Sequence, residues 1–215
     1  MPGDRVRVWR PVTGKTPHKE TDTETKKTFR QRLRDKDRKV FFYLNGSFHS
    51  RPLDFIMVII TQFGNAWVVV PLIAVFLYFL EGVWLSHRFI VIGTALAVGG
   101  IVGSIIKNII KRKRPLGAFR EDIKNGTVYV HTVLERARSK SFPSGHAQTA
   151  FGTFVVVTWF WAGWYSPLAL VYAFIVSFSR IYLGIHFPLD VAGGAVLGIV
   201  VALIVCGAAA VYGFA

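Results

Sequence analysis

The strongest constraint on this chain is a set of long apolar blocks. Ala66–Leu85, Phe89–Ile110, Ala147–Trp164, Pro167–Gly184 and Val191–Ala215 carry almost no charge. Each is close to the ~20 residues that a bilayer-spanning helix needs. A soluble chain of 215 residues would show amphipathic stripes instead. The blocks therefore predict an all-α integral membrane protein, a bundle of five to six transmembrane helices. The sixth span depends on Val40–Gly64, "VFFYLNGSFHSRPLDFIMVIITQFG", whose apolar pieces are broken at Asn45-Gly46 and at Pro52. Neither piece alone is long enough to cross, which predicts interfacial or re-entrant helices lying against the bundle.

Two parts follow from this. Residues 1–39 read as a basic tail, poorly ordered or on the membrane surface, that could end in a short basic surface helix. Residues 40–215 read as the membrane-embedded domain. The net charge of +14 comes from two stretches. Residues 1–39 hold 13 Lys/Arg against 6 Asp/Glu, and residues 107–140 hold 10 against 3. Basic stretches beside membrane helices suit anionic lipid headgroups. A nucleic-acid partner is set aside, since no recognised binding module accompanies the charge. Gly99 with Gly103, and Gly194 with Gly198, have the spacing that lets helices approach closely. Cys206 stands alone in its block, so it forms neither a disulfide within the chain nor a metal site. No sequence signal fixes the oligomeric state.

Charges inside apolar blocks are expensive and point to function. Lys107 lies near the end of the second block, Arg180 near the end of the fourth, and Asp190 just before the fifth. His146 precedes the third block and His186 sits in the link "IHFPL". Successive blocks alternate in direction. Lys107, Arg114, Ser144, His146, Arg180, His186 and Asp190 should therefore meet at one end of the bundle.

The chemistry of that set is coherent. Lys107 and Arg114 are seven residues apart, about two helical turns, and can share a face. With Arg180 they make three fixed cations suited to a phosphate. In "PSGH", Pro143 can start a helix, so that the amides of Ser144, Gly145 and His146 point out of its N-terminus. One neutral histidine can attack phosphorus. Asp190, four residues after His186, could fix that ring's tautomer. The other histidine can protonate the leaving oxygen and then activate water. No metal or other cofactor is required, because the protein supplies the positive charge itself.

These residues resemble the three-part motif of the type 2 phosphatidic acid phosphatase superfamily, which includes bacterial acid phosphatases and vanadium haloperoxidases. The first part is Lys107 with Arg114-Pro115, the second Pro143-Ser144-Gly145-His146, and the third Ser179-Arg180, His186 and Asp190. The resemblance covers residues 40–215 and implies an all-helical core. It implies His186 as nucleophile, Asp190 as its partner and His146 as general acid. It also implies that Lys107, Arg114, Ser144, Gly145 and Arg180 hold phosphate. The apolar blocks make the chain similar to bacterial membrane lipid-phosphate phosphatases, whose substrates include phosphatidylglycerophosphate, undecaprenyl diphosphate, phosphatidate and lipid A.

Several readings stay open at this level. The hydrolase competes with a lipid phosphotransferase using the same intermediate, and with a non-catalytic membrane anchor whose basic segments bind anionic partners. Lys111–Phe142 reads as a lid. Its further cations (Lys111, Arg112, Lys113, Arg136, Arg138 and Lys140) would suit a substrate with a second anionic group. The chain is placed in the cell membrane as a multi-pass protein. The family resemblance favours an outward-facing site, which is the expectation taken, and Lys/Arg counting favours the cytoplasm.

Overall fold

The computed structural model describes residues 28–47, 49–82, 86–133 and 140–213. Among these it contains helices and loops and no strand. Helix α1 is Phe29–Gly46, α2 Arg51–Gln62, α3 Ala66–Glu81 and α4 His87–Ile110. Two short turns of helix follow, α5 Pro115–Ala118 and α6 Arg120–Lys124. The last three are α7 Gly145–Phe160, α8 Tyr165–Tyr182 and α9 Pro188–Val211.

The boundaries have local causes. Thr28 and Gln31 form a reciprocal cap at the start of α1. The Ser50, Asn65 and Ser86 side chains accept first-turn amides of α2, α3 and α4. Gly82 ends α3 in the left-handed conformation. Helix α1 runs across the 39/40 boundary read from composition, and residues 1–27 lie outside the described residues.

Helices α4, α8 and α9 are long and apolar enough to cross a bilayer. Helices α2 and α3 together pass the same test but are bent by 70° at their junction. The pair starts beside the C-terminal end of α8, where Tyr182 Oη donates to Asp54 at 2.6 Å. It reaches the middle of α8, where Tyr172 Oη donates to the Phe63 carbonyl at 2.6 Å, before α3 turns away. Helix α7 is 16 residues long, a rise of about 24 Å that falls short of a ~30 Å hydrocarbon core. The shortfall has a physical reason: α7 packs against α4, α8 and α9, and most of its residues are buried in protein. A helix shielded from lipid can begin with the polar run "GHAQT".

Both small-residue pairs lie at close helix contacts. A β-carbon at Gly99 would come within 2.3 Å of Gln148 Nε2, and one at Gly198 within 2.3 Å of the Gln148 carbonyl. Gln148 of α7 is thus clasped between α4 and α9. The Gly198 contact is with backbone, which cannot swing aside. Gly198→Ala is therefore expected to cost about 1–3 kcal/mol through forced separation of α7 and α9. Thermal unfolding in detergent should show a lowered midpoint, and Gly207→Ala, which meets open space, should not.

Candidate active site

The convergence expected from helix direction is present at one end of the bundle. The C-terminal end of α4 brings Lys107, whose Nζ lies 3.6 Å from where a Gly145 β-carbon would stand. Lys111 then ends α4 in the left-handed conformation, and the chain turns toward Arg114, a buried residue preceding α5. Arg180 is buried at the last turn of α8, and its Nη1 donates to the buried Thr61 hydroxyl of α2. Lys107 lies within electrostatic reach of Arg114, Arg180 and Asp190. A side chain at Gly64, in the α2–α3 bend, would strike His146. The bend therefore packs directly against that histidine.

His186 and Asp190 are both buried and stand on either side of the start of α9. The geometry differs from a direct pair. His186 Nδ1 is 3.7 Å from Asp190 Oδ2, too far for a hydrogen bond. The Ser141 hydroxyl lies between them, 3.3 Å from His186 Nδ1 and donating to Asp190 Oδ2. Asp190 Oδ2 also accepts the Phe187 amide at 2.9 Å, and Oδ1 pairs with Arg112 Nη1 at 2.8 Å. Burial pushes His186 below its ordinary value, to about 3, opposed by its link to Asp190 and reinforced by the charges of Arg180 and Arg114. The imidazole is therefore neutral at ordinary pH. A proton on Nδ1, directed at Ser141, leaves the lone pair on Nε2.

Three expectations change here. Pro143 precedes α7 rather than starting it, and Ser144 is the cap. The Ser144 amide donates to the Asp190 carbonyl at 2.9 Å, so it is not available to an anion. Its hydroxyl is buried and has no hydrogen-bond partner among the described residues. Arg112, read as a cation for substrate, instead bridges two buried carboxylates, Asp37 of α1 and Asp190, with its guanidinium 4.5 Å from the Phe187 ring centre. Arg136 and Arg138 lie outside the described residues.

Ser141, Asp37 and Thr61 are site-end residues that sequence reasoning missed, and Arg112 is one to which it gave a different role. A short antiparallel bridge between Lys113 and Lys140, with the Ser141 amide bonded to the Arg112 carbonyl at 2.8 Å, brings Ser141 and Arg112 together at Asp190. The available signal was position: Ser141 directly precedes "FPSGH", and Arg112 stands two residues before Arg114.

A second polar cluster lies at the same end. His49, Asp54 and His131 bring ligand-type atoms within 4.8 Å of one another. The two imidazoles are stacked, centres 3.7 Å apart and planes 20° apart, so their in-plane lone pairs run side by side and do not converge on one ion. His131 Nε2 is bonded to Asp54 at 2.9 Å, and Asn45 holds the His131 backbone at both N–H and C=O. The trio clamps the loop after α6 onto α2 and the end of α8.

Comparison with known proteins follows the same lines. The profile of the PAP2 superfamily matches residues 88–210. YbjG of Escherichia coli is 35% identical over 61% of this chain, an alignment that spans only 62% of its own length. The lipid A 4'-phosphatase of Bacteroides thetaiotaomicron is 30% identical over 77% of this chain and 73% of its own. The undecaprenyl-diphosphatase BcrC of Bacillus subtilis is 29% identical over 76% and 79%. Among solved structures, Aquifex aeolicus LpxE superposes with a TM-score of 0.66 at 25% identity, covering 79% of this chain and 93% of LpxE.

Proposed function

Because this chain belongs to the PAP2 superfamily, we propose that it is an integral membrane phosphatase that hydrolyses a phosphate monoester or diphosphate of a membrane lipid. The observation that carries this reading is the meeting of three cations, two histidines and a buried serine hydroxyl at one end of an apolar bundle. The relatives named above for lipid A and undecaprenyl diphosphate support a lipid substrate.

The proposed chemistry has two steps. His186 Nε2 attacks phosphorus, the P–N bond forms as the P–O bond to the lipid breaks, and His146 gives the leaving oxygen its proton. Water then attacks phosphorus, passing its proton to His146. The P–N bond breaks, and phosphate leaves with His186 neutral again. Lys107, Arg114 and Arg180, with the Ser144 hydroxyl and the Gly145 amide, hold the equatorial oxygens as charge shifts. Asp190 and Ser141 orient His186. Fixed cations fill the electrostatic role, so no metal ion enters the proposed steps.

Two expected results follow. Ser141→Ala removes a neutral hydroxyl bridge, and kcat should fall about tenfold with KM little changed. Steady-state kinetics on a lipid diphosphate would read this, and an unchanged kcat would remove Ser141 from the site. The second concerns pH. Protonation would remove the attacking lone pair, and in His186 it sets in only near pH 3. In a His146→Gln background, single-turnover phosphorylation of the enzyme should show between about pH 7 and 5 only the ionisation of the substrate's own terminal phosphate, at about 6. A second inflection, present beyond the substrate's own titration measured separately, would contradict a neutral, buried His186.

The reading is tested by assaying purified protein on phosphatidylglycerophosphate, undecaprenyl diphosphate, phosphatidate and lipid A, with and without chelator. Phosphate release in chelator supports it. Transfer of label to a second lipid in preference to water would make the chain a phosphotransferase. No turnover of any of them would favour the non-catalytic anchor. The membrane face is read separately. The family resemblance supports an outward site. Against it, α1 lies at the site end, and Arg88 alone of the described Lys and Arg stands at the opposite end, a bias typical of the cytoplasm. Cysteines at His87 and Asn125 probed in intact cells with an impermeant thiol reagent decide this: labelling at Asn125 alone places the site outside, and at His87 alone inside.

A further inference from the structure

Helix α1 has three distinct faces. It lies across the site end of the bundle, with Asp37 accepting the Leu189 amide of α9 at 2.8 Å and Asn45 donating to the Ile181 and Tyr182 carbonyls of α8. Asp37, Phe41 and Asn45, four residues apart, form the buried face. A second face consists of Phe29, Leu33, Val40 and Tyr43, which at about 100° per residue fall within one narrow stripe. These are large apolar residues left in the open, Phe29 79% and Tyr43 68% exposed. Arg32, Lys36 and Lys39 lie within or beside that stripe, and Gln31, Arg32, Asp35 and Lys39 make up the third, polar face.

An apolar stripe bordered by cations, on a helix at the end of a membrane bundle, fits the headgroup layer of an anionic leaflet. The apolar side chains enter the acyl boundary while lysine and arginine meet lipid phosphate. Each such cation near an anionic surface adds to the attraction, which falls off within a Debye length. The apolar residues and the cations beside them on one exposed side of α1 match the acyl boundary and the anionic headgroups of a leaflet, which makes the bilayer the occupant.

The buried face gives this docking a consequence. Asp37 holds Arg112, Arg112 holds Asp190, and Asp190 holds His186 through Ser141. We infer that α1 is an anionic-lipid docking helix whose seating on the leaflet positions Asp190 and His186 through Asp37 and Arg112. The surface part stands on its own, and the coupling part rests on the proposed phosphatase reading.

The test uses the full chain in vesicles of phosphatidylcholine alone and in vesicles containing about one-third phosphatidylglycerol. An environment-sensitive dye on Val40→Cys should shift to the blue only in the anionic vesicles. With one lipid diphosphate at fixed mole fraction, kcat should be at least about threefold higher in the anionic vesicles. In R32Q/K36Q/K39Q the dye shift and this gain should both vanish, with the rate in phosphatidylcholine unchanged. Asp37→Asn should keep the dye shift and lose the gain, separating docking from coupling. Equal dye emission in both vesicles, or a gain that survives the triple substitution, would overturn the inference. If no lipid phosphate is hydrolysed in either vesicle, the phosphatase reading fails while the dye still reports whether α1 docks.

Discussion

His186→Ala is expected to reduce phosphate release by at least about a thousandfold, the scale seen when a nucleophile is deleted from a preorganised site. The residue is buried between Asp190 and the cations Arg114 and Arg180, and no other described imidazole shares that setting. Its removal leaves the cations in place, so substrate affinity should change far less than turnover. The fold should persist. Asp190 keeps the Phe187 amide, the Ser141 hydroxyl and Arg112, and Arg112 keeps Asp37. Gel filtration in detergent checks this in parallel. His146→Gln removes the acid of the first step and the base of the second and should lower turnover strongly; with a lipid diphosphate, whose leaving lipid phosphate needs little protonation, the second step suffers more and a phosphorylated enzyme builds up. Phosphate release that survives His186→Ala would remove His186 as nucleophile.

Asp190→Asn is the second large effect. The substitution keeps size and shape but removes a buried charge that accepts from Ser141 and Phe187 and pairs with Arg112. The amide nitrogen must then face a donor, and the Ser141–His186 link loses its anchor. A comparable change in a serine-protease triad costs about 10⁴ in kcat through the wrong tautomer. Here the coupling passes through a hydroxyl, and a loss of about a hundredfold or more in kcat is expected, with KM nearly constant. Stability should fall as well, because Arg112 loses one of its two carboxylates. Breaking a buried pair costs about 3–5 kcal/mol, and the expected loss is smaller, since Arg112 is partly exposed and retains Asp37. A double-mutant cycle with Ser141→Ala should show non-additivity, because both act through one ring. Fully additive effects would mean that Ser141 and Asp190 do not act on His186 as one unit.

The helical bundle and the gathering of Lys107, Arg114, Ser144, His146, Arg180, His186 and Asp190 were legible in the sequence for one reason. Apolar block length sets the number and direction of helices, and direction alone decides which ends meet. What remained hidden depends on contacts that direction does not fix. Asp37 sits in a run of charges that reads as solvated tail, yet folding places it against the start of α9, 152 residues away. Arg112 looked like one more basic loop residue until the Lys113–Lys140 bridge set it beside Ser141. The Ser144 amide was expected to meet phosphate, and a backbone bond to Asp190 uses it instead. The length of α7 was also overestimated, because composition does not distinguish a helix sheathed by three others from one that faces lipid.

The most direct measurement is to mix purified protein with a lipid diphosphate carrying ³²P in the terminal phosphate, quench rapidly, and map the labelled peptide. An alkali-stable, acid-labile label on His186 is expected, increased in His146→Gln and absent in His186→Ala. Rapid phosphate release without any labelled enzyme in His146→Gln, or label on another residue, would contradict a phosphohistidine intermediate at this site.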